Sequence, residues 1–346
     1  MWLKLRHLDM VQALIGIRAG TPRGVSRGSD TSCETATRAD EYLGCPSVIV
    51  DMAVIESRHM IEFSISTSLI RGEASRLQHL FSLSDFKKVE IGFYVEETLP
   101  LVMNLVMKQG LSYGFHDPLP RLPTYDYPFL TDSDEEKRWR TLDSMYRTME
   151  TAVTYGAEYV IGHIPSVIWE PRPALSDARV VELAHNSCSQ LSNWSRESGI
   201  PFVLENVGPN PYFFHFDAFV GIMRAFPDLE FCLDIGHLHL MSIYAGFNSL
   251  EFASAMAPYT TIVHIYNATP EMYRKYHHVP AHPSQLPQDG WADIAGILGC
   301  VLDGQQNDLT LVFEYSPQYP ADDQYLREGI DWVKGVARGG GPISRE

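Results

Sequence analysis

The chain offers no run of about eighteen apolar residues, so nothing in it reads as a transmembrane helix. Neither G-x-G-x-x-G nor G-x-x-x-x-G-K-[ST] occurs, which leaves the usual glycine-rich phosphate cradles without support. Cysteine is scarce and scattered. Cys33, Cys45, Cys188, Cys232 and Cys300 contain no C-x-x-C pair, and an odd set without framework spacing reads as reduced thiols of a cytoplasmic protein. Basic charge is in the minority, with 27 Lys and Arg against 43 Asp and Glu and a formal net charge of −16. That balance disfavours a nucleic-acid partner, which needs clustered cations, although a local basic groove can sit on an acidic protein. What is present, 45% hydrophobic and 20% charged residues over 346 positions, is the composition of a globular protein with ample core.

Residues 1–59 differ from the rest. The stretch "AGTPRGVSRGSDTSCETATRADE" is rich in Gly, Ser, Thr and Arg and lacks a sustained hydrophobic period, so a poorly structured extension is expected. An apolar run near its beginning has no convincing small-residue cleavage site behind it. Met60, directly before "IEFSIS", is a natural alternative start.

From Met60 the chain alternates. Short strand-like runs stand at 61–66, 88–94, 111–116, 157–163, 201–207, 229–235, 261–267 and 309–315. Helical segments lie between them, most clearly at 132–155, 176–197, from Trp291 to Leu302, and in "DQYLREGIDWVKGVA". Eight such beats predict right-handed βαβ units closing into a single (β/α)8 TIM barrel over 60–338, with a short flexible tail at 339–346. An open doubly wound sheet is the alternative, but it normally has fewer strands and a Gly-rich first turn.

In such a barrel the active site lies at the C-terminal strand ends. There the third run ends in His116, the fourth in His163, the fifth in Glu205 and Asn206, and the sixth in Asp234 with His237 just beyond. The seventh carries His264 and the eighth Glu314. One such residue alone is an ordinary hydrogen-bonded strand end. Three acids and several imidazoles at one mouth are costly unless a cation neutralises them. The oxygen and nitrogen mix suits Zn, Mn or Co, whereas Mg prefers fewer imidazoles. In this reading Asp234 is a ligand, His237 faces the same cavity, and Gly236 lets the backbone turn sharply between them.

These endings, "VLENVG", "CLDIGH", "VHIYN" and "VFEY", resemble the xylose isomerase-like TIM-barrel superfamily, which also holds endonuclease IV-type enzymes. The resemblance covers roughly Met60 to Lys334 and implies a divalent metal on the residues matching Glu205, Asp234, His264 and Glu314. In its sugar isomerase and epimerase branch, the residues matching the two glutamates move protons on sugar carbons and the one matching His237 binds substrate. In its endonuclease branch up to three zinc ions are held, with extra ligands matching His116, His163 and His277. One departure concerns the latter branch: its Asp two residues before the position of His277 is Lys275 here. The loop that follows also departs, reading "HVPAHPSQLPQDGW".

Two chemistries follow. The favoured one is a metal-dependent sugar or sugar-phosphate isomerase or epimerase. Its proton-transfer groups are Glu205 and Glu314, with His237 beside them, and its substrate contacts are Asn206, Tyr125, His278 and Arg274. The alternative is a polynuclear zinc phosphodiesterase, in which nucleic acid becomes a partner. One to three ions are expected, with His237 carried as a further ligand. The resemblance admits a homodimer, and no membrane partner is expected. "KRWR" at 137–140, beside Asp134, Glu135 and Glu136, reads as a solvated helix face rather than a DNA grip. The Pro-rich loop 117–130 reads equally as a substrate wall or as a loop wrapped on its own barrel.

Overall fold

Strands of four to six residues, built mainly from Val, Ile, Leu and Phe, supply the framework of the computed structural model, which describes residues 59–122, 129–165, 175–208, 210, 213 and 215–339. They are β1 Ile61–Ser66, β2 Lys88–Ile91, β3 Ser112–His116, β4 Val160–Ile164, β5 Phe202–Asn206, β6 Leu229–Asp234, β7 Thr260–Ile265 and β8 Leu309–Phe313. Each pairs in parallel with the next, and β1 pairs with β8, so the sheet closes into an eight-stranded barrel. All eight expected strands are present. The second is shorter than read: it ends at Ile91, and Phe93 takes φ 71°. The expectation for residues 1–59 lies almost wholly outside the described residues.

Side chains alternate along each strand, and the two faces have different fates. Phe202, Leu204, Phe231, Leu233, Val263, Ile265, Leu311 and Phe313 belong to the large core between barrel and helices. Tyr159, Ile161, Val203, Cys232, Ile262 and Val312 form a second, smaller cluster inside the barrel. Two residues beyond five of these stand His163, Glu205, Asp234, His264 and Glu314. The interior thus has an apolar floor and a polar layer directly above it. The bottom is closed by Lys88, whose ammonium meets Glu62 at 2.5 Å, Glu158 at 2.7 Å and the Thr310 hydroxyl at 3.3 Å. Burial works against that charge, but the two carboxylates more than offset it.

Helices cover the outside: α1 Leu77–Ser82, α2 Leu99–Lys108, α3 Glu135–Tyr155, α4 Asp177–Ser198, α5 Phe216–Ala225, α6 Ile235–Ala245, α7 Ser249–Met256, α8 Pro270–Tyr276, α9 Ile294–Gly304 and α10 Asp323–Ala337. Their limits follow local chemistry. Asp134 accepts from the backbone N–H groups of Glu136 and Lys137 to start α3, and Gly156 at φ 73° ends it. Ser176 and Asp322 start α4 and α10 in the same way. On α3, Arg140 pairs with Glu136 one turn back at 2.6 Å and Trp139 is exposed, in keeping with a solvated face. No helix among the described residues is long and apolar enough to cross a membrane.

One local expectation is corrected. The chain does not turn sharply after Asp234; β6 runs straight into α6, with Asp234 as its N-cap, accepting from the His237 N–H at 2.6 Å. Gly236 is helical. Its missing side chain matters because a Cβ there would stand 2.0 Å from the ring of Tyr266.

Candidate metal centre

Strand register brings the polar layer together. His163 lies opposite Glu205 across β4 and β5, and Asp234 lies opposite His264 across β6 and β7. Within one layer of a barrel such neighbours point to the same side. Glu205, Asp234, His264 and Glu314 each offer one ligand atom, all within 4.8 Å of one another. His264 Nδ1 is 3.4 Å from Glu205 Oε1, 3.4 Å from Glu314 Oε2 and 3.9 Å from Asp234 Oδ2. An ion held at about 2.1 Å by nitrogen and oxygen spaces its ligands by roughly 3–4 Å. Asp234 Oδ2, His264 Nδ1 and Glu314 Oε2 are buried polar atoms without a hydrogen bond of ordinary geometry. Buried groups of this kind are normally satisfied. The donor set therefore fits a divalent cation of the Zn, Mn or Co type.

A second group shares a member with the first. His116 Nε2 lies 3.2 Å and His163 Nε2 3.5 Å from Glu205 Oε2, and these three residues form a converging triad of their own. The His116 Nδ1 donates to the carbonyl of Asp117, because a carbonyl can only accept. Its Nε2 therefore faces Glu205.

The charges are mutually adjusted. Burial works to raise the Glu205 carboxyl, but the imidazoles of His264, His163 and His116 hold it well below the usual carboxylate range. Burial pushes Asp234 well above that range, with help from Glu205 and Glu314. Glu314 is held well below it by His278 and His264, against burial. Burial would lower His116, yet its bond to Glu205 and the fields of Glu205, Glu90 and Glu314 carry it up to about 10. His163 drops to about 4 through burial. Protons on imidazoles thus balance the carboxylates, and a dication would take their place.

His237 stands beside this layer, buried, with Nδ1 donating to the Gly208 carbonyl at 2.8 Å. Burial and the nearby His278 lower it to about 3, so it is a neutral ring whose Nε2 can accept a hydrogen bond. It joins none of the converging groups. His278 reaches Glu314 Oε2 at 3.2 Å and stacks on Tyr266 with centroids 3.9 Å apart. The structure does not bring His277 to the metal layer: it follows α8 at φ 59°, with its ring against Tyr273. Asn206 faces elsewhere too. Its amide is committed to the backbone of Asp234, donating to the carbonyl at 3.1 Å and accepting from the N–H at 2.9 Å. Arg274 lies half-buried on α8, the helix that follows β7 in the chain. Tyr125 falls outside the described residues.

Sequence reasoning missed Glu90. It sits on β2 between Val89 and Ile91, fully buried, with Oε2 3.0 Å from His264 Nε2 and 3.2 Å from the Tyr159 hydroxyl. The available signal was an acid inside an apolar strand rather than at its end.

With the geometry established, comparisons place the chain. Residues 91–336 match the family model of the xylose isomerase-like TIM barrel. A search of curated proteins finds no significant match. Solved structures with the same fold include a D-psicose 3-epimerase with D-tagatose from Clostridium cellulolyticum H10, at TM-score 0.59 and 12% identity, covering 80% of this chain and 99% of that one. The 3-keto-D-glucoside 4-epimerase YcjR from E. coli, apo form, superposes at 0.60 with 12% identity, covering 79% of this chain and 99% of that one. The IOLI protein with a binding zinc atom superposes at 0.61 with 15% identity, covering 82% and 100%. A closed barrel with this polar layer and a family match over most of its length lead to one conclusion: the chain belongs to the xylose isomerase-like TIM-barrel family.

Proposed function

We propose that the protein is a metal-dependent sugar or sugar-phosphate isomerase or epimerase, acting through a glutamate pair. The observation that carries this reading is the convergence of Glu205, Asp234, His264 and Glu314, three of which present a buried ligand atom without a hydrogen bond of ordinary geometry. Several structural neighbours are sugar epimerases, one of them described with D-tagatose, which supports a small sugar as substrate. Bound among these residues, a divalent ion would polarise a substrate carbonyl and the hydroxyl beside it.

The chain's own groups supply the rest. Glu205 enters from β5 and Glu314 from β8, so they approach a bound carbon chain from different sides. One carboxylate takes the proton from the carbon next to the carbonyl. The other, also ionised in the metal-free site, takes up a proton from water during the reaction and delivers it to the opposite face, and the configuration inverts. His237 Nε2 accepts a hydrogen bond from a substrate hydroxyl, and the stacked pair Tyr266 and His278 forms a wall behind Glu314.

A second reading rests on His116, His163 and Glu205, which form a triad able to hold another ion and so favour a polynuclear phosphodiester hydrolase. Against it, position 275 is an exposed lysine lying over the Tyr276 ring, where the endonuclease pattern needs a ligand acid.

One experiment separates the two. Metal is counted per chain by elemental analysis, and the protein is incubated in heavy water with D-tagatose, D-psicose and their phosphates. We expect one ion per chain and deuterium entering at the carbon beside the carbonyl, lost in Glu205→Gln and in Glu314→Gln. Two or three ions, no deuterium exchange, and cleavage of an abasic-site duplex that vanishes in Glu205→Gln would overturn the isomerase reading.

A further inference from the structure

A histidine can present either ring nitrogen to a metal, and the hydrogen bond on the other nitrogen decides which. His264 is fully buried and spans the barrel. Its Nδ1 faces Glu205, Asp234 and Glu314. Its Nε2 points the other way, to Glu90 Oε2 at 3.0 Å. A carboxylate can only accept, so Nε2 keeps its proton, and when a cation displaces the proton on Nδ1 it is the Nδ1 lone pair that is turned toward the metal layer. The Cys232 thiol also lies near the ring, but burial raises it and keeps it a neutral, weak partner.

Glu90 is itself fixed in place. Its Oε2 also accepts from the Tyr159 hydroxyl at 3.2 Å, while Oε1 is buried without a hydrogen bond. The Tyr159 ring gets there because position 114, opposite Glu90 on β3, is a glycine; a Cβ at Gly114 would stand 2.0 Å from that ring. A buried carboxylate with half its acceptor capacity unused is a poor structural device, since an apolar side chain of similar shape would fill the space without desolvating a charge. Its placement makes sense as a clamp on one imidazole.

We infer that Glu90 is a positioning residue: it sets the tautomer and orientation of His264, and thereby the affinity and geometry of the metal held above it. Glu90 also converges with His116 and His264, but in this assignment it acts from β2 through His264 on β7 and not as a ligand. The inference rests on the proposed metal-dependent function, and the test keeps the two apart.

Metal-free wild-type protein, Glu90→Gln, Glu90→Leu and Tyr159→Phe are titrated with Co²⁺ by calorimetry, and the visible spectra of the loaded proteins are compared. Thermal melts of the metal-free forms establish folding. Glutamine keeps an acceptor for Nε2–H without the charge, so Glu90→Gln should weaken binding only a few-fold and preserve the spectrum. Glu90→Leu should weaken it by about 10–100-fold, as loss of an outer partner of a ligand histidine typically does, and change the spectrum. Tyr159→Phe, which leaves the bond donated by His264 Nε2–H to Glu90, should stay near wild type. Binding by Glu90→Leu at wild-type affinity, or an equal loss in Tyr159→Phe, overturns the inference while leaving the metal reading intact. Two ions in wild type and one in Glu90→Leu would make Glu90 a ligand and overturn it as well. Absence of binding by folded wild type would sink the metal reading and this inference with it.

Discussion

Asp234 combines two tasks in one carboxylate. Oδ1 caps α6 by accepting from the His237 N–H, and Oδ2 is left for the site. The Asp-x-x-His spacing is therefore the spacing of a helix N-cap: the residue whose N–H the cap binds is the residue whose ring enters the cavity. At this scale the residue types of the site were legible, because a carboxylate or imidazole ending an apolar run departs from the local pattern. The environment of each was not. Gly236 looked like a hinge and is a notch for Tyr266. Gly236→Ala should force that ring aside and carry the stacked His278 away from Glu314. Overpacking of this kind is expected to destabilise the fold by about 1–3 kcal/mol, measurable by urea unfolding. Gly299, inside α9 with nothing within 4 Å of its absent Cβ, provides the contrast. Gly299→Ala should stabilise the protein by about 0.5–1 kcal/mol through helix propensity.

Elements were legible where local chemistry punctuates them. Helix α10 spans Asp323–Ala337, the segment read from the sequence, and α3 and α4 end at glycines with φ 73° and 71°. The start of α3 shifted from 132 to Glu135 because Asp132 is used one step earlier, accepting from the Asp134 N–H at 2.9 Å. Shorter helices such as Pro270–Tyr276 lack room for a repeated apolar period and were not read. The caps give a direct prediction. Asp322 accepts from the Tyr325 N–H at 2.8 Å, so Asp322→Ala should cost about 1 kcal/mol, or about 2 °C in Tm for a barrel of this size. Asp322→Ser, which can still cap, should recover most of that loss in the same melt.

For the whole molecule the decisive fact is closure. Pairing of β1 with β8 turns eight separate strand ends into one ring, and that ring brings Glu205, Asp234, His264 and Glu314 within reach of one another. Assembly of three buried acids is unfavourable by itself, so a cation that binds only the folded barrel should stabilise all of it. At a free ion concentration about 100-fold above Kd, the gain is about 2.7 kcal/mol, or about 5 °C in Tm. The measurement is a melt of chelator-stripped protein with and without Zn²⁺, Mn²⁺ or Co²⁺; an unchanged midpoint at saturating metal would remove the cation from the site. By itself the sequence determined the strand and helix beats, the two-residue alternation that sets an acid or imidazole above an apolar floor, and so the chemical character of the mouth. Those are local patterns, carried by neighbours in the chain. Only the tertiary structure decided that Glu90 grips His264 across 174 residues, that His278 rather than His277 reaches Glu314, and which nitrogen of His264 faces the acids. Such pairings depend on where closed strands lie opposite one another and on which hydrogen bonds burial compels, and neither is written in any short stretch of chain.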